Sequence, residues 1–260
     1  MSYLRRFADY PREVGKHTPE FIARLESCSV VKGDVPIGVA ADPLHKHPMD
    51  QFYYVLEGEL GVQLGSERIT AMPDTLIRVP ADTPHYAFND GDIEVNQVEL
   101  VVPSPPPAKA GEMLKLVELV DETGESAPEG CVKPVAEDGW KQLAAGMESQ
   151  LLANKATGSQ DALVAAVRQQ PAPDGFEPGY HLHEFDELLF VLEGSLVVDV
   201  AGERYNPGKH ELVVMPARVP HRAWNAGPGV ERHITVLAAH PSSPNMADWT
   251  VNVDFSIATA

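Results

Sequence analysis

The chain has 260 residues, is 43% hydrophobic and carries a net charge of −18, a balance that excludes nucleic acid and anionic membranes as partners because both require clustered Lys and Arg. Its length allows one large core or two ordinary ones, and 23 prolines with 20 glycines suit short strands joined by turns rather than long helices. Two cysteines, Cys28 and Cys131, far apart and outside any CxxC, exclude a disulfide framework and a thiolate metal site.

The first segment, MSYLRRFADYPREVGKH, has arginines but no continuous apolar run, and no later stretch approaches the length of a bilayer span, so a cytoplasmic location is expected. Thr18-Pro19-Glu20 ahead of FIARL has the form of an N-cap with Pro in the first turn, the start of a short helix. Next comes HKHPMDQFYYVLEG, His45 to Gly58, with two histidines one residue apart and Gln51 four residues after the second. FYYVLEGELGVQLG holds two β-prone runs around Glu57-Gly58 and predicts a hairpin, and TLIRVPADTPH predicts a further strand that ends in a proline-punctuated loop at His85. VVPSPPPAKAG, residues 101 to 111, has the composition of a stiff connector. Beyond it, Trp140, Leu143, Ala144, Met147 and Leu151 have helical spacing. HLHEFDELLFVLEG then opens at His181, LLFVLEGSLVVDVAG predicts a second hairpin around Glu193-Gly194, and ELVVMPARVPH ends at His221.

The later phrases repeat the earlier ones. Adding 136 to each position from His45 to Asn89 lands without a gap on His181 to Asn225, and more than a third of those positions are identical. A period this long indicates two copies of a whole domain, expected at 1–104 and 112–260. Because side chains alternate across a strand, His45 and His47 share a face that Gln51 can rejoin after Pro48, while His85 arrives from another strand. Three imidazoles with one oxygen donor suit a first-row transition metal rather than Ca or Mg. The second copy offers His181, His183, Glu187 and His221.

These residues resemble the cupin superfamily, whose motifs read G(X)5HXH(X)3,4E(X)6G and G(X)5PXG(X)2H(X)3N. The second copy matches the first motif from Gly175 through His181, His183 and Glu187 to Gly194. The first copy matches from His45 to Gly58, with Gly38 one residue too far upstream and Gln51 in place of the acid. Pro80, His85 and Asn89, and again Pro216, His221 and Asn225, match the second motif, but both its glycines are replaced, by Asp74 and Asp82 and by His210 and Arg218. The resemblance implies an all-β bicupin, two jelly-roll barrels in tandem with few short helices. It also implies up to two divalent transition metals per chain, Fe first, with Mn, Ni, Co, Cu or Zn as alternatives.

Gln51 against Glu187 is the main chemical difference between the copies. A neutral amide leaves a divalent ion at its full charge, so the first site should hold metal less tightly and attract anions more. Tyr53 and Arg78, where the second copy has Leu189 and Val214, add candidate catalytic groups beside Gln51, so catalysis is expected at the first site, with Glu187 as the candidate catalytic carboxylate if the second is the active one. His233 and its counterpart Gln97 lie on a late strand from which either could reach its pocket. The resemblance implies a metal-dependent enzyme acting on a small molecule. An oxygenase on an enolisable carbonyl or dihydroxy-aromatic compound is expected, with a non-redox isomerase, cyclase or lyase, or a non-catalytic binding protein, as alternatives; homo-oligomerisation is left open.

Overall fold

The computed structural model describes residues 2–10, 15–17, 19–105 and 116–254. Residues 106–111 of the proline-rich connector, and Thr18 of the expected N-cap, lie outside them. In chain order the strands begin with β1 (Leu4–Arg6), β2 (Glu20–Arg24), β3 (Ser29–Val35), β4 (His45–Lys46), β5 (Asp50–Glu57) and β6 (Leu60–Leu64). β7 (Glu67–Ala71), β8 (Thr75–Val79), β9 (His85–Phe88), β10 (Val95–Val102), β11 (Glu118–Leu119) and β12 (Val132–Pro134) follow. The remainder are β13 (Lys141–Ala144), β14 (Met147–Ala153), β15 (Ala162–Gln169), β16 (Tyr180–Leu182), β17 (Asp186–Glu193), β18 (Val197–Val200), β19 (Glu203–Tyr205), β20 (Glu211–Met215), β21 (His221–Trp224), β22 (Glu231–Ala238) and β23 (Val251–Val253). The described helical segments are single 3-10 turns.

The chain groups into two compact units. One holds Tyr10–Val135 and Leu152–Asp161; the other holds the residues up to Asp9, Ala136–Leu151 and those from Ala162 onward. In the first unit a six-stranded sheet, β12-β8-β5-β10-β3-β2, accompanies a five-stranded sheet, β11-β4-β9-β6-β7. In the second the corresponding sheets are β1-β20-β17-β22-β15-β14-β13 and β19-β18-β21-β16-β23. Apolar residues of alternate parity fill each interior: Tyr53, Val55, Leu60, Val62, Ile77 and Val79 in one, Leu189, Val191, Leu196, Val198, Val213 and Met215 in the other.

Four local expectations are corrected. Glu20–Arg24 is an edge strand paired with β3, not a helix, because backbone pairing with a neighbouring strand outweighs a weak N-cap signal. The helically spaced residues from Trp140 to Leu151 lie in and beside β13 and β14, an antiparallel pair around Gly146 at φ 72°, a conformation that a helix does not tolerate and a tight turn requires. The two expected hairpins are not hairpins. β5 pairs with β8 and β10, whereas β6 pairs with β7 and β9, so Gly58 sends the chain from one sheet to the other. Gly58 has φ 81° and lies against the chain at Glu94, whose carbonyl oxygen a Cβ would meet at 2.8 Å. Gly194 does the same between β17 and β18.

The glycine-less turns keep glycine geometry. Asp74, Asp82, His210 and Arg218 all have positive φ, between 60° and 63°, at a cost of about 1 kcal/mol each relative to glycine.

Candidate metal centres

In the first unit β4 and β9 are antiparallel neighbours, and their register sets His45 directly opposite His85. His47 follows β4, and Gln51 comes from β5 in the other sheet of the same unit, so the cluster joins the two sheets at their interior. Ring centroids are 4.3 Å apart for His45 and His85 and 4.9 Å for His47 and His85. One ring nitrogen from each of the three histidines lies within 4.8 Å of the others. Gln51 Oε1 lies 2.9 Å from His47 Nε2 and 3.1 Å from His85 Nε2. All four residues are buried.

The second unit repeats the arrangement. His181 stands opposite His221 in the β16–β21 pair, and the candidate donor atoms of His181, His183, Glu187 and His221 again lie within 4.8 Å of one another. Glu187 Oε2 is 3.0 Å from His183 Nε2 and 3.3 Å from His221 Nε2. Phe185 stacks on His183 at 4.1 Å, fixing its plane. Here His181 and Glu187 are only half-buried.

The chemistry of the donors tests whether a metal ion fits. The Nδ1 atoms of His45, His47 and His85 lie 2.9, 3.0 and 2.8 Å from the carbonyl oxygens of Pro43, Met49 and Thr83. Those of His183 and His221 lie 2.6 and 2.8 Å from the carbonyls of Phe185 and Val219. A carbonyl accepts only, so each of these Nδ1 atoms donates a proton to it, and in that tautomer the Nε2 lone pair is turned to the centre. At the first site those lone pairs meet Gln51 Oε1, an acceptor facing acceptors, which requires a cation between them. A proton does not serve near neutral pH: burial, and then repulsion from His45, push His85 down to about 3, and burial lowers His47. At the second site His221 Nε2 is buried with no donor facing it, its neighbour at 3.3 Å being the carboxylate oxygen of Glu187. Both sets therefore fit a metal ion bound through Nε2, with tautomers fixed by the backbone.

Other expected residues fall elsewhere. Tyr53 shares the interior face with Gln51 and is buried in the core, its hydroxyl pushed well above the usual range by burial and by Glu99 and Asp42. Arg78 is paired with Phe52, on the face opposite to Gln51 and Tyr53. Its guanidinium donates to Asp50 at 3.3 Å and to the Thr157 carbonyl at 3.1 Å, so it is directed away from the histidines. His233 faces its unit's interior, where its Nδ1 lies 2.9 Å from the buried Glu231. Asn89 and Asn225 hold loops, each bonding two carbonyls and one amide. Glu99 is the residue that sequence reasoning missed. Gln51 Nε2 donates to its Oε2 at 2.8 Å, and Gln97 Nε2 donates to its Oε1 at 2.9 Å. Burial pushes the Glu99 carboxyl up, against the lowering influence of His17 and of the two amides. The available signal was parity: Val95, Gln97, Glu99 and Val101 share one face of β10, so two polar side chains enter an apolar interior.

A model of the cupin domain matches residues 33–101 and again 167–236. Among curated proteins no relative is matched by sequence. Similar solved structures include the oxalate decarboxylase of Bacillus subtilis, described by its Mn(II) centres, at TM-score 0.68 and 14% identity over 96% of this chain and 79% of that one. A salicylate 1,2-dioxygenase from Pseudoaminobacter salicylatoxidans, in complex with gentisate, is similar at TM-score 0.66 and 14% identity over 88% and 75%. A cupin 2 conserved barrel domain protein from Leptotrichia buccalis is similar at TM-score 0.59 and 14% identity over 90% and 95%. At these identities the likeness is one of fold.

Proposed function

The chain belongs to the cupin family, and from that premise we propose that it is a metal-dependent bicupin enzyme acting on a small oxygen-rich molecule, an oxygenase of an enolisable carbonyl or dihydroxy-aromatic compound. The observation that carries this reading is the pair of clusters in which imidazoles bonded to the backbone through Nδ1 converge on a common point. The ligands would be His45, His47, Gln51 and His85 in one unit and His181, His183, Glu187 and His221 in the other. A divalent Fe or Mn ion at such a site supplies a Lewis acid and a template for vicinal or 1,3-related oxygens.

Chemistry is assigned to the second cluster. Two of its members, His181 and Glu187, are half-buried and so within reach of a substrate, whereas the four residues of the first are all buried. The polar groups expected to favour the first pocket do not support it: Arg78 is directed to the opposite face and Tyr53 is packed in the core. In the second pocket Glu187 holds the negative charge that anchors the ion and can take a proton from an acidic carbon or hydroxyl. Phe185 and Trp249, edge to face at 6.3 Å, shield the His183 side from water.

The test is metal analysis of the purified chain followed by oxygen uptake with gentisate, catechols and 1,3-diketones. His183→Ala is expected to abolish turnover, and His47→Ala to leave most of it. Absence of bound metal after loading with Fe or Mn contradicts the reading, and turnover without oxygen consumption replaces it with the isomerase or lyase class.

A further inference from the structure

We infer that Glu99 is the carboxylate of the first metal site held at one remove, a positioning residue that acts through the Gln51 amide. This rests on the metal-binding reading above and concerns how the first unit orients the oxygen ligand that Glu187 provides directly in the second.

A glutamine can turn either end of its amide toward the histidines. Glu99 Oε2 accepts from Gln51 Nε2 at 2.8 Å, which leaves Oε1 facing His47 and His85. Glu99 is itself held: Gln97 Nε2 donates to its other oxygen at 2.9 Å, so each carboxyl oxygen accepts from one amide and the side chain is fixed behind Gln51. The fold makes room for this chain of bonds. Gly33 lies opposite Gln97 in the β3–β10 register, and a Cβ there would meet Glu99 Oε1 at 2.4 Å and Gln97 Nε2 at 2.9 Å.

The second unit lacks the device. At the 136-residue offset Thr235 replaces Glu99, and Val167 stands opposite His233 where the first unit has Gly33 opposite Gln97. Each unit thus has one carboxylate at the ligand or directly behind it, Glu187 in one and Glu99 in the other.

The charge relation predicts a reversal of sign. With Gln51 present, Glu99→Gln removes the acceptor that orients the amide and should weaken metal binding at the first site about tenfold or more. In Gln51→Glu, a second carboxylate faces Glu99 within hydrogen-bonding distance, and adding Glu99→Gln relieves that repulsion and restores a donor, so the same substitution should now strengthen binding. A residue that merely supports the fold would weaken binding in both backgrounds.

The experiment is Mn²⁺ titration, read by the EPR signal of free ion, on full-length chains carrying His183→Ala to disable the second site. Wild-type residues at 51 and 99, each single variant and the double variant are compared, with melting temperatures as the check on folding. Gly33→Ala, which displaces Glu99 without altering any charged or ligating group, should weaken binding as Glu99→Gln does. Opposite signs of the Glu99→Gln effect in the two backgrounds are expected. No effect with Gln51, or loss or no gain with Gln51→Glu, overturns the inference while leaving the metal reading in place. Failure of the parent with both wild-type residues to bind Mn²⁺ overturns the inference together with the assignment of a metal to the first site.

Discussion

His47, His85 and His181 are each held below the ordinary imidazole range chiefly by burial, His85 as far as about 3. In the unfolded chain these rings take up protons near pH 6.5, whereas in the folded chain they remain neutral. The unfolded state therefore binds more protons below that value, and stability falls as pH drops through it, by up to about 1.4 kcal/mol per pH unit for each histidine. Glu99, raised by burial, opposes the trend with a single group. The metal-free chain is expected to melt at progressively lower temperature between pH 7 and pH 5. Metal bound through the same Nε2 atoms should raise the melting temperature across this range without flattening the slope, because it too binds only unprotonated rings while the unfolded chain still takes up the protons. Scanning calorimetry of stripped and loaded protein across this range checks it, and a pH-independent melt of the stripped chain would contradict it.

At the level of the strand, one residue of register separates a ligand from a structural group. Gln51 and Val79 are paired on the interior face, and the next pair, Phe52 and Arg78, is on the other. The Arg78 guanidinium is buried there against Cys131 and Gly158, donates to Asp50, and joins β8 to the turn at Lys155–Thr157. Arg78→Ala leaves the Asp50 carboxylate with only the Ala81 amide as a partner and opens a void beneath that turn. It is expected to cost about 3 kcal/mol of stability while metal content stays unchanged. Chemical denaturation with metal analysis on the same sample measures both. Loss of turnover at unchanged stability would instead make Arg78 a substrate anchor. The same strand logic explains Gly58 and Gly194: each is the point where the chain leaves one sheet for the other, which demands positive φ and close approach to a neighbouring backbone.

On the scale of the whole chain, the two copies are not cut at a single connector. β1 pairs with β20 through Leu4–Val213, Arg5–Leu212 and Arg6–Glu211, and Phe7 is buried against Phe190 with ring centroids 4.9 Å apart. The first residues thus complete a sheet of the unit that is mostly built after residue 161. Phe7→Ala is expected to destabilise that unit by about 2 kcal/mol. Deletion of residues 1–9 should cost more, because it also exposes β20 as a new sheet edge. Hydrogen exchange on peptides from β20 should accelerate in both variants; unchanged protection there would show that the pairing contributes nothing.

The all-β class and the two cupin copies were legible in the sequence because they rest on local pattern: alternation, turn residues, and ligand types recurring at one offset of 136. The same pattern named the histidines, Gln51 and Glu187, since an HxH on a strand needs only the period of two to share a face. Strand partners were not legible, because hairpin and sheet-to-sheet crossover use the same Glu-Gly signal and differ only in which distant strand offers its backbone. Left-handed turns at Asp74, Asp82, His210 and Arg218 could not be read from residues that adopt them less readily than glycine. Glu99 was hidden for a related reason. It is 48 residues from Gln51 and 66 from Gly33 in the chain, and only the β3–β10–β5 alignment brings carboxylate, amide and vacant Cβ space together. Local periodicity selects which face a side chain takes, whereas its partner across the sheet is set by long-range register, which the packing of the finished core determines.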